Sequence, residues 1–310
     1  MTYDPGRPWQ PPPTSSAVST QLVARVYAMV LEDTSMLGTV ATGAVVSALV
    51  FAGIAVPAWL LGGLDLLTDS FNPMTLLLYA VAGWGSAFVT ILFSGAVVAA
   101  GVARLDGHPI TARAALGVAW SRRRQLCAWA VVTTVVGLVA EQLNRFGVFG
   151  TIARLLADLT WAVATLLVLP IIIVEGHMPK QAITESASLM KNQLMLTVRT
   201  KARLYLPWMA VMVIGAIVTA GGLIAFFHYR DETPEWSIAG LLLAVLGVLV
   251  LALAVCVTGA AGELLNLMLY RHALGLPVPG VDARDLPRLA VPPGSAPPTT
   301  LGSGTPPAVT

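Results

Sequence analysis

Long apolar blocks constrain this chain more than any other feature. A helix needs ~20 apolar residues to cross ~30 Å of hydrocarbon, and 18 or more with few charges is the working criterion. Six segments meet or approach it: Met36–Gly62, Met74–Val102, Gln125–Leu143, Ile152–Val174, Leu204–Phe227 and Ser237–Gly262. Composition agrees, with 56% hydrophobic and 11% charged residues, against roughly 45–50% and ~25% in soluble domains. The expected fold class is all-α: a polytopic transmembrane helix bundle of about six spans.

Local signals punctuate these blocks. Asn72-Pro73 and Thr233-Pro234 each set a capping side chain before a proline at the first helical position. The pairs Gly62-Gly63 and Gly221-Gly222 predict loosened or kinked helix near span ends. Pro170 predicts a kink inside the fourth span, where neighbouring helices must satisfy the freed backbone. Three amphipathic stretches, 19–34, 111–124 and 179–195, precede the odd-numbered spans and are too polar to cross. In the first, Leu22, Val26, Met29 and Val30 recur at helical spacing. They are read as short interfacial helices on the cytoplasmic side. Their similar endings are candidates for a three-unit internal repeat, chance similarity of short strings being the alternative.

The domain reading is a Pro-rich disordered tail over 1–18, a transmembrane helical domain over 19–275, and a disordered Pro/Gly/Ser/Thr-rich tail over 276–310. The first eighteen residues lack the basic-then-apolar order of a signal peptide. With the N-terminus inside, fifteen of the eighteen Lys and Arg residues fall in cytoplasmic segments, and Arg145, Arg154 and Arg230 fall outside. Basic residues retained in short loops set orientation, so both ends are placed in the cytoplasm. Fifteen arginines against three lysines suggest a GC-rich bacterial genome, hence the bacterial cell (inner) membrane.

Ionisable residues near membrane depth are costly and mark function. Glu141, Arg145, Arg154 and Asp158 form a candidate ionic clasp at the outer end of the third and fourth spans. Glu175, Glu263 and Asn266 form a candidate inner polar site, because a carboxylate beside a broken helix is where transporters hold ions. Arg122, Arg123 and Arg124 are read as contacts to anionic lipid headgroups, at ~1 kcal/mol each. His108, His177 and His272 make no metal pattern by spacing, and Cys127 and Cys256 are read as packing residues. Trp84 lies too deep for the interfacial aromatic belt and is expected to pack.

Neither a metal nor a cofactor is expected, and no HExxH, P-loop, GxGxxG or GxSxG string lies within 19–275. The expected function is a non-enzymatic membrane component: a scaffold, an assembly partner or a lipid-organising protein. A small-solute or lipid transporter or channel is the alternative. Expected partners are membrane lipids, anionic on the cytoplasmic side, and a second copy or another membrane protein, without nucleic acid.

The stretch Arg104 to Gln193 resembles the bacterial membrane-protein family filed as domain of unknown function 6159. The resemblance runs through Arg104-Leu105-Asp106-Gly107-His108-Pro109-Ile110-Thr111, Val135-Val136-Gly137-Leu138 and Gly147-Val148-Phe149-Gly150. It continues through Thr160-Trp161-Ala162, Leu169-Pro170-Ile171-Ile172-Ile173-Val174-Glu175-Gly176 and Pro179-Lys180-Gln181-Ala182 to Ser186-Ala187-Ser188-Leu189. Where the family continues Thr-Trp-Gly, this chain has Asn192-Gln193-Leu194. The resemblance implies a multi-span fold and brings no activity.

Overall fold

The computed structural model describes residues 15–32, 34–68, 73–143, 160–162, 164–190, 194–229 and 234–276. These residues form helices α1 (Ser15–Glu32), α2 (Thr34–Thr68), α3 (Pro73–Leu105), α4 (Ala112–Ser121), α5 (Arg123–Leu143), α6 (Val168–Glu175), α7 (Pro179–Met190), α8 (Leu194–Tyr229) and α9 (Pro234–Ala273). The described part is all-α, as the apolar blocks required. Both expected tails lie largely outside the described residues, although α1 begins at Ser15, inside the stretch read as tail.

Among the described residues, four helices carry stretches long and apolar enough to cross a membrane: Ser35–Ile54, Ala80–Leu105, Thr197–Tyr229 and Glu235–Ala273. Their flanks are not those of a water-soluble protein. Leu49, Leu206, Ile217, Ile224 and Leu242 each leave more than three fifths of their surface uncovered, and soluble monomers rarely expose continuous apolar surface of this extent. Trp84 is 38% exposed, stacking on Phe88. The packing expected of it is met by Phe88, one turn along the same helix.

Two antiparallel hairpins dominate. In the α2–α3 hairpin, Ser47 Oγ lies 2.7 Å from Ser86 Oγ, and Thr90 Oγ1 donates to Ser47 Oγ at 3.0 Å. Such hydroxyl bridges tie helices where lipid gives no hydrophobic drive for association. In the α8–α9 hairpin, Phe226 faces Gly240, Thr219 faces Gly247 and Tyr205 faces Gly262. A Cβ on Gly240 would stand 2.6 Å from the Phe226 nitrogen, and one on Gly247 2.6 Å from the Thr219 nitrogen. Backbone meets backbone there, so only glycine fits. Gly222 belongs to the same seam, a Cβ there running into the Ala244 nitrogen, whereas one on Gly221 meets nothing within 4 Å among the described residues. Helix α8 runs on through both to Tyr229.

The buried core collects at one end of the bundle. It joins Leu22, Val26, Met29 and Val30 of α1, the last turns of α3, Leu126 and Trp129 of α5, most of α6, Leu204 of α8 and Ala260 to Tyr270 of α9. The apolar face read from the α1 sequence is thus the buried one. Helices α4 and α7 add Ala115, Ala119, Ala182 and Met190. Polar links close the same end. Arg104 pairs with Glu32 at 2.9 Å and Arg271 with Asp106 at 2.6 Å, while the Tyr27 hydroxyl donates to the Leu204 carbonyl at 2.9 Å.

Pro170 behaves differently from the expected mid-span kink. The helix breaks before it, in a turn at 165–167, and Pro170 sits in the first turn of α6, where a missing N–H is harmless. The Leu167 N–H left at the break donates to Ser186 Oγ of α7 at 3.1 Å.

Candidate functional site

The site is built where α6 ends. Six residues of α6, Val168 to Ile173, are buried, so this short helix is anchored by its apolar body and delivers Glu175 to the rim of the core. Gly176 ends it in the left-handed region at φ +74°, its N–H bonded to Ile172 O at 3.0 Å. A residue with a Cβ would be strained there. The reversal brings His177 back beside Glu175, and Pro179 opens α7, which carries Glu185.

His177 Nδ1 lies 3.2 Å from Glu175 Oε2 and 3.0 Å from Glu185 Oε2. On the other side of Glu175, the hydroxyl of the fully buried Tyr270 donates to Oε1. Glu175 therefore has one oxygen held by α9 and the other turned to the histidine. Burial pushes the Glu185 carboxyl above its ordinary value, and the nearby Glu175 charge adds to the rise; its bond to His177 opposes both. Glu185 also lines a shallow groove with Lys180, Gln181, Thr184 and Ser188.

Glu263 and Asn266 lie elsewhere. They occupy one face of α9 beside Lys201 of α8 and Ser94 of α3. Glu263 precedes Tyr270 by two helical turns, roughly 10 Å at 1.5 Å per residue. The inner polar residues read from the sequence thus separate into two clusters, Glu175 in one and Glu263 with Asn266 in the other. Glu263 Oε2 and Asn266 Oδ1 are buried without a hydrogen-bond partner among the described residues.

The three arginines take three positions. Arg122 caps α4 and lays its guanidinium over Gly176; Arg123 sits 6.0 Å from the Trp120 ring centre; Arg124 is exposed. Of the candidate outer clasp, Arg145, Arg154 and Asp158 lie outside the described residues, as does the side chain of Glu141. Sequence reasoning missed Ser94, His177, Glu185, Lys201 and Tyr270. The one local signal was Glu175-Gly176-His177 before a proline, a turn that returns two donors to one side.

Fold and site define an all-helical membrane protein with a polar, packed base at one end of its hairpins. The model of a family of unknown function (DUF6159) matches residues 73–274, and the chain belongs to that family. The match extends well beyond the central segment that carried the resemblance in sequence. No curated protein and no solved structure matches the chain.

Proposed function

We propose that this is a six-span protein of the bacterial inner membrane, with both ends in the cytoplasm. Its role is that of a non-enzymatic membrane component, a scaffold or assembly partner that also organises anionic lipid. The observation that carries the reading is the gathering of core and ion pairs at one end of the bundle. The helix ends that meet there, joined by Arg104 with Glu32 and by Arg271 with Asp106, are the ones that basic-residue counting assigns to the cytoplasm. In this arrangement α1, α4 and α7 are interfacial helices framing a rigid base. Arg123 and Arg124 face anionic headgroups, and the apolar flanks of α2, α8 and α9 meet lipid, a second copy or another membrane protein.

A transport role is the second reading, favoured by the unpartnered oxygens of Glu263 and Asn266 beside Lys201. Purified protein in liposomes, assayed for solute flux across proton and sodium gradients, separates the two. A component without transport activity leaves the gradients intact. Flux that disappears in Glu263→Gln replaces the first reading with the second.

A further inference from the structure

We propose that Glu175, His177 and Glu185 bind a divalent transition-metal ion of the zinc type, and that Tyr270 positions Glu175 for it. The inference does not depend on the membrane role proposed above. The donor set is mixed: one imidazole nitrogen and two carboxylate oxygens, the chemistry zinc-type ions take from proteins. Calcium would call for six to eight oxygens, which this turn does not offer.

The geometry is close to what the ion needs. The three donor atoms all lie within 4.8 Å of one another, with the nitrogen 3.2 and 3.0 Å from the two oxygens. Ligands at ~2.0–2.1 Å around a tetrahedral ion stand roughly 3.3 Å apart, so binding asks for side-chain shifts of well under an ångström on the histidine edges. In the metal-free arrangement Nδ1 stands between the two carboxylates. An ion there takes the imidazole lone pair, and the two carboxylates neutralise its divalent charge.

The support behind the donors is also that of a metal site. Metal-binding carboxylates are themselves held by hydrogen bonds from a second layer of residues, and Tyr270 does this for Glu175 from a different helix. Glu185 is fixed by the buried face of α7, where Ser186 is tied to the Leu167 N–H. His177 and Glu185 keep 41% and 30% of their side-chain surface open, so an ion has access. Three protein donors leave a coordination position for water or another ligand.

The test uses the full chain in detergent, stripped with chelator and titrated with Zn2+ by equilibrium dialysis and elemental analysis. One saturable equivalent per chain is expected. His177→Ala and Glu185→Gln should each lower the affinity at least about tenfold, and Tyr270→Phe by about 10–100-fold, the range seen when a supporting residue is removed. Helical content and melting temperature of the metal-free variants control for folding. Should a variant fail to fold, Co2+ bound to the unsubstituted chain supplies the decision. Intense visible bands of a four- or five-coordinate ion support the site, and a weak octahedral spectrum overturns it. Absence of saturable Zn2+ binding, or binding unchanged in folded His177→Ala, also overturns it.

Discussion

Tyr270 of α9 and Glu175 of α6, ninety-five residues apart in the chain, share a hydrogen bond that fixes the Glu175 carboxylate at the edge of the core. The bond ties the last long helix to the short helix that ends in the Glu-Gly-His turn. Replacing Tyr270 by Phe keeps the buried ring and removes only the donor. Leaving a part-buried carboxylate short of a hydrogen bond costs about 1–3 kcal/mol. Thermal melts of Tyr270→Phe in chelator-treated detergent solution should therefore fall below those of the parent. An unchanged midpoint would mean that the bond adds nothing to the fold.

Glycines in this protein differ in what they face. At Gly240 the partner backbone leaves no room, so Gly240→Ala should destabilise the α8–α9 hairpin by about 1–3 kcal/mol, the usual cost of overpacking. Among the described residues, a Cβ on Gly137, inside α5, meets nothing within 4 Å. Gly137→Ala should be neutral or should stabilise by about 0.5–1 kcal/mol through helix propensity. Equal effects at the two positions would contradict the close helix contact.

Tyr27 offers a pH-dependent measurement. Burial raises its phenol above the ordinary value of 10.0, and its proton bonds the Leu204 carbonyl. The folded state therefore holds this proton more tightly than the unfolded chain does. Its contribution is fully present below about pH 10 and is lost as pH rises through the elevated folded value. The stability gap between the parent and Tyr27→Phe should narrow as pH is taken past 10. A gap that stays constant into strong alkali counts against this account.

The arginine run divides by structure. Arg123→Gln with Arg124→Gln should weaken retention of phosphatidylglycerol by about 2 kcal/mol, roughly thirtyfold at ~1 kcal/mol per residue, while folding stays intact. Arg122→Gln should instead lower the melting temperature, because its guanidinium packs over the Gly176 turn. Native mass spectrometry and melts on the same samples read both effects. Lipid retention that ignores the double change removes the headgroup contact from the proposal.

For topology, reporter fusions after Thr68, Asn144 and Glu232 should read as extracytoplasmic. Fusions after Thr111, Glu185 and Arg284 should read as cytoplasmic. One clear reversal among the six breaks the six-span arrangement.

Much of the helix plan was legible because hydropathy and helical periodicity are local. Apolar blocks predicted the long helices, and the spacing of Leu22, Val26, Met29 and Val30 named the face of α1 that is buried. Glu175, Glu263 and Asn266 stood out as polar groups at the inner ends of apolar spans. Their separation into two clusters did not. Whether Glu175 meets Tyr270 or Glu263 depends on how α6 and α9 cross, and no short-range pattern encodes a crossing. The same holds for His177 and Glu185: eight residues apart, they meet only because Gly176 reverses the chain and α7 is pinned by its buried face. Backbone hydrogen bonding and the transfer energy of side chains act over a few residues, so the sequence by itself determined which segments are helical and which surfaces are apolar. Packing acts between segments distant in the chain, so the tertiary structure alone decided which polar groups share a site.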